Sequence, residues 1–213
     1  MEPIVTNTQD TKPQVKVSQE DLLAAIRTIL LVIGEDPERE GLVGTPDRIV
    51  RMWQEIFRGY DPAQKPKITT FSNEAHESQM VFDSGEFYSM CEHHMMPFFG
   101  NYYFAYLPDP EGKILGLSKI ARVVNYCAAR LQLQERLVRD IIQMIDEALE
   151  GRCGGYAIVM NGQHMCKTMR GVKNKGSMSV SYFTGAFQQD EQLRNEFFQL
   201  ISLQKLLPSS PQE

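Results

Sequence analysis

Strand-like and helical segments occur in blocks along this chain, and this grouping limits the possible folds more than any other feature of the sequence. Segments rich in aromatic and β-branched residues fill 68–107, segments with helical spacing follow at 118–130 and 134–149, and strand-like segments return at 154–183. Blocks of this kind are typical of an α+β domain, whereas one-by-one alternation indicates a parallel α/β sheet. We therefore predict an α+β fold with an antiparallel sheet and helices on one face.

The turn sequence after the aromatic segment 98–107 suggests how the sheet is connected. Pro108-Asp109-Pro110-Glu111-Gly112 contains the residues that favour tight turns, and another apolar segment follows at 113–117. Two strand-like segments joined by such a turn commonly form a hairpin. We expect 98–107 and 113–117 to pair with each other.

Two helices are predicted ahead of the sheet. Ser18 is followed by Gln19-Glu20-Asp21, the pattern of a helix N-cap with an acidic first turn, and Thr45-Pro46 marks the start of a second helix. Residues before Ser18 are mostly polar and cannot bury enough apolar surface to offset the entropy of ordering. We expect a flexible arm at 1–17, a helical region at 18–60, the main domain at 61–206 and a tail at 207–213.

The composition argues against several classes of protein. The 213 residues are 42% hydrophobic, yet no segment approaches the roughly 18 to 20 uninterrupted apolar residues of a membrane helix. The net charge of −5 gives no general attraction to nucleic acid or to acidic membranes. The 4 cysteines are too few for a disulfide framework in a chain of this length. We predict a cytoplasmic protein with reduced thiols, no membrane contact and no nucleic-acid partner.

Cysteine and histidine are concentrated at two places in the sequence. Cys91-Glu92-His93-His94 sets a thiol and an imidazole three residues apart, and His164-Met165-Cys166 offers a second pair. Zinc prefers this mixture of sulfur and nitrogen ligands. A ligand set of Cys91, His94 and Cys166 leaves the fourth tetrahedral position open, which is typical of catalytic rather than structural zinc.

The other histidines of these two motifs are candidates for proton transfer. If zinc takes the three ligands above, His93 and His164 remain beside it, and imidazole titrates near neutral pH. The segment 165–172 is predicted as a strand. Because side chains alternate along a strand, His164 and Cys166 would then point to the same face.

The remaining cysteines and histidine have no comparable partner nearby in the sequence. An isolated cysteine or histidine is commonly a packing or surface residue. We interpret Cys127, Cys153 and His76 in this way, and we interpret the methionines beside the two motifs as core residues.

Basic residues form a third group of candidates. Lys119 and Arg122 are three residues apart on a predicted helix and share a face, beside Ser118 and the backbone N–H groups of a helix start, which favour anions. Lys167 and Arg170 follow shortly after the second metal motif. On these residues alone two interpretations stay open: a phosphate site, or a solvated basic face.

In their order along the chain, these motifs resemble those of the GTP cyclohydrolase I family, from about residue 20 to residue 202. The resemblance rests on Gly41-Leu42-x-Gly44-Thr45-Pro46-x-Arg48 through Met52-Trp53, Cys91-Glu92-His93-His94, Gly116-Leu117-Ser118-Lys119-x-x-Arg122, Gln132-x-Gln134-Glu135-Arg136-Leu137, His164-x-Cys166 and Met169-Arg170-Gly171-Val172. It implies a tunnelling-fold (T-fold) subunit, with 61–206 as the catalytic domain. It also implies a homodecamer with active sites at the subunit interfaces.

The resemblance implies a reaction and a cofactor. Members of this family hydrolyse the imidazole ring of GTP, release formate and form 7,8-dihydroneopterin triphosphate, with GTP and water as substrates. The implied zinc ligands are Cys91, His94 and Cys166, and the implied proton carriers are His93 and His164. One rival is a zinc-stabilised relative that binds ligand without turnover. A second is a nitrile reductase of the same fold, which would use a lone cysteine nucleophile and no zinc triad.

Substrate contacts are implied on both halves of the nucleotide. Glu135, with Gln134, would hold the guanine edge, because a carboxylate can accept the N–H groups of guanine and adenine cannot satisfy it in the same way. Ser118 would contact the ribose region. The residues implied for the triphosphate are Lys119, Arg122, Arg170 and Arg48.

The sequence departs from the family pattern beside the second metal motif. Asn161-Gly162-Gln163 stands where an acidic residue followed by a small one is usual, and Lys167 stands where an apolar residue is common. The resemblance does not indicate whether the pterin product enters folate, biopterin or deazaguanosine synthesis, or whether a regulatory partner binds.

Overall fold

The computed structural model describes residues 17–206, which belong to two compact units. The first unit ends at Glu55 and the second begins at Ile56. The predicted arm at 1–17 and the predicted tail at 207–213 lie outside the described residues, apart from Val17.

The helices of the first unit begin where the sequence signals place them. Helix α1 (Gln19–Val32) is capped by Ser18: the Asp21 N–H donates to the Ser18 hydroxyl and the Ser18 N–H donates to the Asp21 carboxylate, each at 3.1 Å. This reciprocal capping box satisfies N–H groups that the first turn leaves without helical partners. Helix α2 (Thr45–Ile56) begins at the Thr45-Pro46 pair.

The second unit contains the strands and the remaining helices. Its strands are β1 (Thr70–Ser72), β2 (Val81–Cys91), β3 (Pro97–Pro108), β4 (Lys113–Leu115), β5 (Leu131–Gln132), β6 (Cys153–His164) and β7 (Met178–Phe183). Its α-helices are α3 (Lys119–Ala128), α4 (Gln134–Ala148), α5 (Met165–Thr168), α6 (Ala186–Gln189) and α7 (Glu191–Leu206), and two short 3₁₀ helices cover Arg58–Tyr60 and Pro62–Gln64. Within 17–206, no helix combines the length and the apolar character needed to cross a membrane.

The larger sheet has the strand order β5–β2–β3–β6–β7. Strands β2, β3, β6 and β7 pair antiparallel, and the short strand β5 pairs parallel to β2 through Met90↔Leu131 and Cys91↔Gln132. The sheet is therefore mixed: the predicted α+β class is confirmed, and the prediction of a purely antiparallel sheet is wrong at the β5 edge. The parallel pair places the end of β2 beside the residues that lead into α4.

The predicted hairpin between 98–107 and 113–117 is wrong. Strand β3 is paired along both edges, with β2 and with β6, so it has no free edge for the segment after the turn. That segment forms β4 and pairs with β1 in a separate two-stranded sheet. The turn itself is present, since the Gly112 N–H donates to the Asp109 carbonyl at 2.9 Å. The turn residues predict the change of direction but not the pairing partner.

One face of the large sheet packs against α3 and α4 and forms the larger core. Phe98, Phe104 and Tyr106 of β3 point to this face and are almost completely buried. Helix α4 supplies Leu137 and Ile141 at helical spacing. Burying each large apolar side chain contributes about 1.5–3 kcal/mol, so this layer of aliphatic and aromatic contacts fixes both helices on the sheet.

The opposite face of the sheet packs against α6 and α7. Tyr103 and Ala105 of β3 belong to this second cluster, together with Phe187 of α6 and Phe197 of α7. The prediction that helices cover only one face is therefore wrong. The reason lies in the segment 102–107, which is apolar at consecutive positions, so that both faces of β3 must be covered.

Candidate metal centre and active site

Two thiols and one imidazole meet at one end of the large sheet, where strands β2 and β6 finish. Cys91 is the last residue of β2, His164 is the last residue of β6, and Cys166 lies in α5. One possible ligand atom from each of the three residues lies within 4.8 Å of the others. Strands β2 and β6 both run antiparallel to β3, so their carboxyl ends lie at the same end of the sheet. The fold therefore joins the two metal motifs predicted from the sequence.

The residues after His164 do not form the predicted strand 165–172. The last pair that β6 makes with β3 is Phe98↔His164, and β3 begins one residue before Phe98, so further extension would lack a partner. The chain turns into α5 instead, and the Met169 N–H donates to the Met165 carbonyl at 2.9 Å. Cys166 therefore approaches His164 from a helical turn and not from the same face of one strand.

The donor set of this cluster fits a zinc ion. Cys91 is only 5% exposed, and burial raises the pKa of the Cys166 thiol, with the adjacent Cys91 thiol adding to the rise and the Arg170 guanidinium opposing it. Two neighbouring thiolates repel each other, so a divalent cation is needed to stabilise both. Sulfur and imidazole nitrogen are the ligands that zinc prefers.

The imidazole ring of His164 is fixed by packing and by a hydrogen bond. It stacks on Phe98 with ring centroids 4.5 Å apart and an interplanar angle of 5°, and its Nε2 lies 2.9 Å from Oε1 of Gln134. The Gln134 amide donates to the carbonyls of Met160 at 2.8 Å and Met178 at 3.0 Å, so its oxygen faces His164. Nε2 therefore carries the proton and Nδ1 is the unprotonated nitrogen. Burial lowers the pKa of His164, which favours this neutral form.

Gly162 provides the space that Gln134 occupies. A Cβ atom at this position would lie 2.7 Å from Gln134 Oε1 and 3.2 Å from Phe87 Cζ. Gln134 is only 1% exposed, and its N–H groups and its carbonyl oxygen are all engaged within the protein. Gln134 therefore orients His164, and a larger residue at 162 would push it away.

The turn between β2 and β3 carries the other two predicted histidines. His93 and His94 are both exposed, and their rings lie 6.2 Å apart. His94 Nε2 lies 3.0 Å from a guanidinium nitrogen of Arg170 and is not among the three clustered ligand atoms. The structure thus brings together the two predicted cysteine ligands, places His164 third, and leaves His94 beside Arg170.

The predicted substrate residues lie mainly at helix starts. Ser118 precedes α3, Lys119 is its first residue, and the exposed Arg122 follows one turn later. Glu135 is exposed in the first turn of α4, and its charge acts on His164 to raise the pKa, against the larger effect of burial. Arg48 is exposed on α2, in the first unit. Glu135 therefore acts electrostatically on His164, and Arg170 acts electrostatically on Cys166.

Sequence reasoning assigned no role to several residues that shape this site. Phe98 is recognised only through its register opposite His164, and Gly162 only through its contact with Gln134. Glu92 lies inside the first metal motif and forms an ion pair with Arg136 on α4. The sequence did contain a signal for this pair, because Glu92 and Arg136 each lie within one of the family motifs.

One solved structure shows a weak likeness to this chain. The archaeosine synthase QueF-Like, solved in the apo form, is 16% identical, with a TM-score of 0.38 over 50% of this chain and 93% of its own. A likeness of this size carries no argument about fold or function.

Comparison with protein families and with named relatives gives a consistent result. The family model described as GTP cyclohydrolase I matches residues 22–202. A GTP cyclohydrolase 1 of Thermoanaerobacter pseudethanolicus is 45% identical over 89% of this chain and 100% of its own length. Another, of Geobacillus kaustophilus, is 48% identical over 83% of this chain and 93% of its own length. With both kinds of match extending over most of its length, the chain belongs to the GTP cyclohydrolase I family.

Proposed function

We propose that this chain is a zinc-dependent enzyme that opens the imidazole ring of GTP, releases formate and forms 7,8-dihydroneopterin triphosphate. Family membership supports this proposal. The observation that carries it is the convergence of Cys91, His164 and Cys166 within 4.8 Å at this end of the sheet. A non-catalytic, zinc-stabilised relative would need the thiols but no group for proton transfer, and His164 offers an unprotonated ring nitrogen beside them.

We place zinc on Cys91, His94 and Cys166. His94 follows Cys91 by three residues in the same turn, and release of its contact with Arg170 would free its ring for the metal. Zinc in such a site acts as a Lewis acid and activates water as a nucleophile. His164 competes for the third position, because its ring nitrogen already lies near the two sulfurs.

Metal analysis of alanine variants separates these two ligand sets. Cys91→Ala and Cys166→Ala are expected to lose bound zinc, because both sets use the thiols. His94→Ala should lose it as well and His164→Ala should retain it if the third ligand is His94. His93→Ala serves as the control that keeps its metal. Zinc loss from His164→Ala together with retention by His94→Ala would contradict the proposed set.

His164 and His93 are the proposed proton carriers. The unprotonated Nδ1 of His164 can accept a proton at neutral pH, and the hydrogen bond to Gln134 keeps the ring in this orientation. His93 is exposed in the turn and can exchange protons with solvent. We assign Gln134 to the positioning of His164 and not to the guanine edge, because its amide is engaged within the protein.

Separate groups are proposed for the two halves of GTP. The exposed carboxylate of Glu135 accepts the N–H groups of guanine, and Ser118 contacts the ribose region. Charge-assisted hydrogen bonds from cationic side chains hold the phosphates. The residues proposed for the triphosphate are Lys119, Arg122, Arg170 and Arg48.

Binding curves for GTP and guanosine test this division. Glu135→Ala should weaken both ligands, since removal of the carboxylate leaves guanine N–H groups unpaired at a cost of about 1–3 kcal/mol. Arg122→Ala should weaken GTP and leave guanosine unchanged. Arg152→Ala, which removes a surface partner of Asp109, is the matched control and should change neither. Equal losses of GTP and guanosine in Arg122→Ala would contradict the phosphate role.

Turnover distinguishes the proposed enzyme from its non-catalytic rival. Zinc-loaded protein is incubated with GTP, and the product is oxidised and followed by pterin fluorescence. The enzyme should generate fluorescence in proportion to protein and time. The rival would bind zinc and GTP without generating fluorescence.

We also propose a tunnelling-fold subunit, a homodecamer and a cytoplasmic location. Leu117, beside the predicted phosphate residues, is 93% exposed in the single chain, and Val172 beyond Arg170 is exposed as well. Both side chains are available to a neighbouring copy, which suits sites completed at a subunit interface. Light scattering on the eluting protein tests the assembly, and a monomer that turns over GTP would contradict it.

A further inference from the structure

We propose that Glu92 and Arg136 are positioning residues that hold the metal-binding turn against α4, so that breaking their ion pair weakens zinc binding. Neither residue belongs to the ligand set or to the proposed substrate contacts. The inference rests on the function proposed above only in taking zinc as the metal. It concerns how tightly the turn between β2 and β3 is held in place.

The backbone of that turn is closed by its own hydrogen bonds. The Cys91 N–H donates to the Met96 carbonyl and the Met95 N–H donates to the Cys91 carbonyl, both at 2.8 Å. Met95 adopts a left-handed conformation with φ 51°. These bonds fix the shape of the turn but not its position on the rest of the protein. Strands β2 and β3 hold the two ends of the turn. The position of the residues between these ends depends also on contacts made by Glu92.

Glu92 joins the turn to α4 through its backbone and its side chain. Its N–H donates to the Gln132 carbonyl at 3.2 Å. Its partly buried carboxylate accepts a charge-assisted hydrogen bond from the guanidinium of Arg136, in the first turn of α4. The same guanidinium donates to the Leu131 carbonyl at 3.1 Å and to Gln132 Oε1 at 2.8 Å. One planar group therefore links the turn, β5 and α4.

The network continues into the core. The buried side chain of Gln132 donates to the Cys127 carbonyl at 3.0 Å and to the Asp140 carboxylate at 2.9 Å. Arg136 is thus anchored at one end by groups that cannot move freely and pairs with Glu92 at the other. An ion pair held in this way constrains position, unlike an isolated surface pair whose partners move independently.

The pair connects both sides of the metal cluster. The turn carries Cys91, whereas the start of α4 carries Gln134, which holds His164. Loss of the pair lets the turn, which carries the proposed ligands Cys91 and His94, shift relative to α4, and these two ligands then lose their fixed distance from Cys166. Changes in residues that orient metal ligands typically reduce metal affinity by about 10- to 100-fold.

The zinc dissociation constant of single and double variants tests the inference. Competition with a chromophoric chelator, at a temperature well below unfolding, is measured for Glu92→Gln, Arg136→Gln and the double variant. Each single variant should bind zinc about 10-fold or more weakly. The double variant should be no weaker than the weaker single variant, because the two residues act as one unit. Arg152→Gln, which breaks the Arg152–Asp109 pair of 2.9 Å, is the control and should match the unaltered protein.

The thermal midpoint of the zinc-free proteins distinguishes positioning from a purely structural role. A midpoint that falls well below that of Arg152→Gln, with unchanged zinc affinity, would overturn the inference. Additive losses of zinc affinity in the double variant would overturn it too. If Arg136→Gln fails to fold, Arg136→Lys keeps the charge but loses the planar fork, and its zinc affinity should lie between the unaltered protein and Glu92→Gln. If the unaltered protein binds zinc but leaves GTP intact, the proposed function is refuted. The zinc dissociation constants of the variants still decide this inference.

Discussion

The chemistry available to His164 is set by residues distant from it in sequence. Phe98 packs flat against the ring, Gln134 fixes the proton on Nε2, and burial lowers the pKa. Phe98 lies in β3 and Gln134 lies in α4, so two different elements supply these contacts. The proximity of Cys91 and Cys166 could be predicted from their motifs, because thiols paired with histidines indicate a candidate metal site. Which histidine lies beside the two thiols could not, because it depends on side-chain orientation and on the competing contact of His94 with Arg170.

Replacing His164 with alanine should separate binding from catalysis. We expect His164→Ala to retain zinc and to bind GTP, while turnover falls by about 10²- to 10⁴-fold, the usual contribution of general acid–base catalysis. Steady-state turnover, zinc content and GTP binding are measured on the same preparation. The exposed His76, which contacts Pro110 away from the cluster, provides the control His76→Ala. More than about a tenth of normal turnover in His164→Ala would remove this residue from the proposed role.

Adding one methyl group at Gly162 should disturb His164 indirectly. In Gly162→Ala the new Cβ would meet Gln134 Oε1 at 2.7 Å, so Gln134 must shift and its hydrogen bond to His164 is lost. We expect a folded protein with lower turnover and little change in GTP binding. The contrasting variant is Gly100→Ala, whose Cβ would lie 1.9 Å from the Asn161 backbone carbonyl, and it should lose stability outright. Normal turnover in Gly162→Ala would show that Gln134 does not position His164.

Elements with strong local signals were predicted well, and errors arose where pairing is decided at a distance. Helices α1 and α2 begin at the predicted Ser18 cap and at the predicted Thr45-Pro46 pair, because capping residues and proline define a helix start locally. The hairpin after β3 failed because β2 and β6 compete for the same edges. The strand prediction for 165–172 failed because β3 begins only one residue before Phe98, the partner of His164. Local sequence therefore indicates what an element is, whereas tertiary context selects its partner and its end.

The packing of α7 on the second face of the sheet predicts a large difference between adjacent phenylalanines. Phe197 is completely buried against Phe82, Phe183 and Phe187, so Phe197→Ala should reduce the free energy of unfolding by about 3–5 kcal/mol. Phe198 is 44% exposed, and Phe198→Ala should cost much less. Chemical denaturation of both variants measures the difference. Equal losses would mean that α7 does not cover this face.

At the scale of the whole molecule, the net charge of the chain and the charge of the proposed phosphate-binding residues have opposite signs. The chain carries a net charge of −5, yet the proposed ligand is a nucleotide triphosphate. Under the proposed assignment, binding would depend on local fields from Lys119, Arg122 and Arg170, and such fields weaken with ionic strength.

Proton NMR of GTP during incubation tests the central claim most directly. Ring opening removes C8 of the purine as formate, so the H8 signal of GTP should disappear while a formate signal of equal intensity appears. We predict this exchange with zinc-loaded protein, and no change with zinc-stripped protein or with Cys166→Ala. Persistence of the H8 signal with the zinc-loaded protein would contradict the account. Loss of the H8 signal with no formate signal appearing would contradict it too, when measured in buffer without D₂O so that H8 cannot exchange for deuterium.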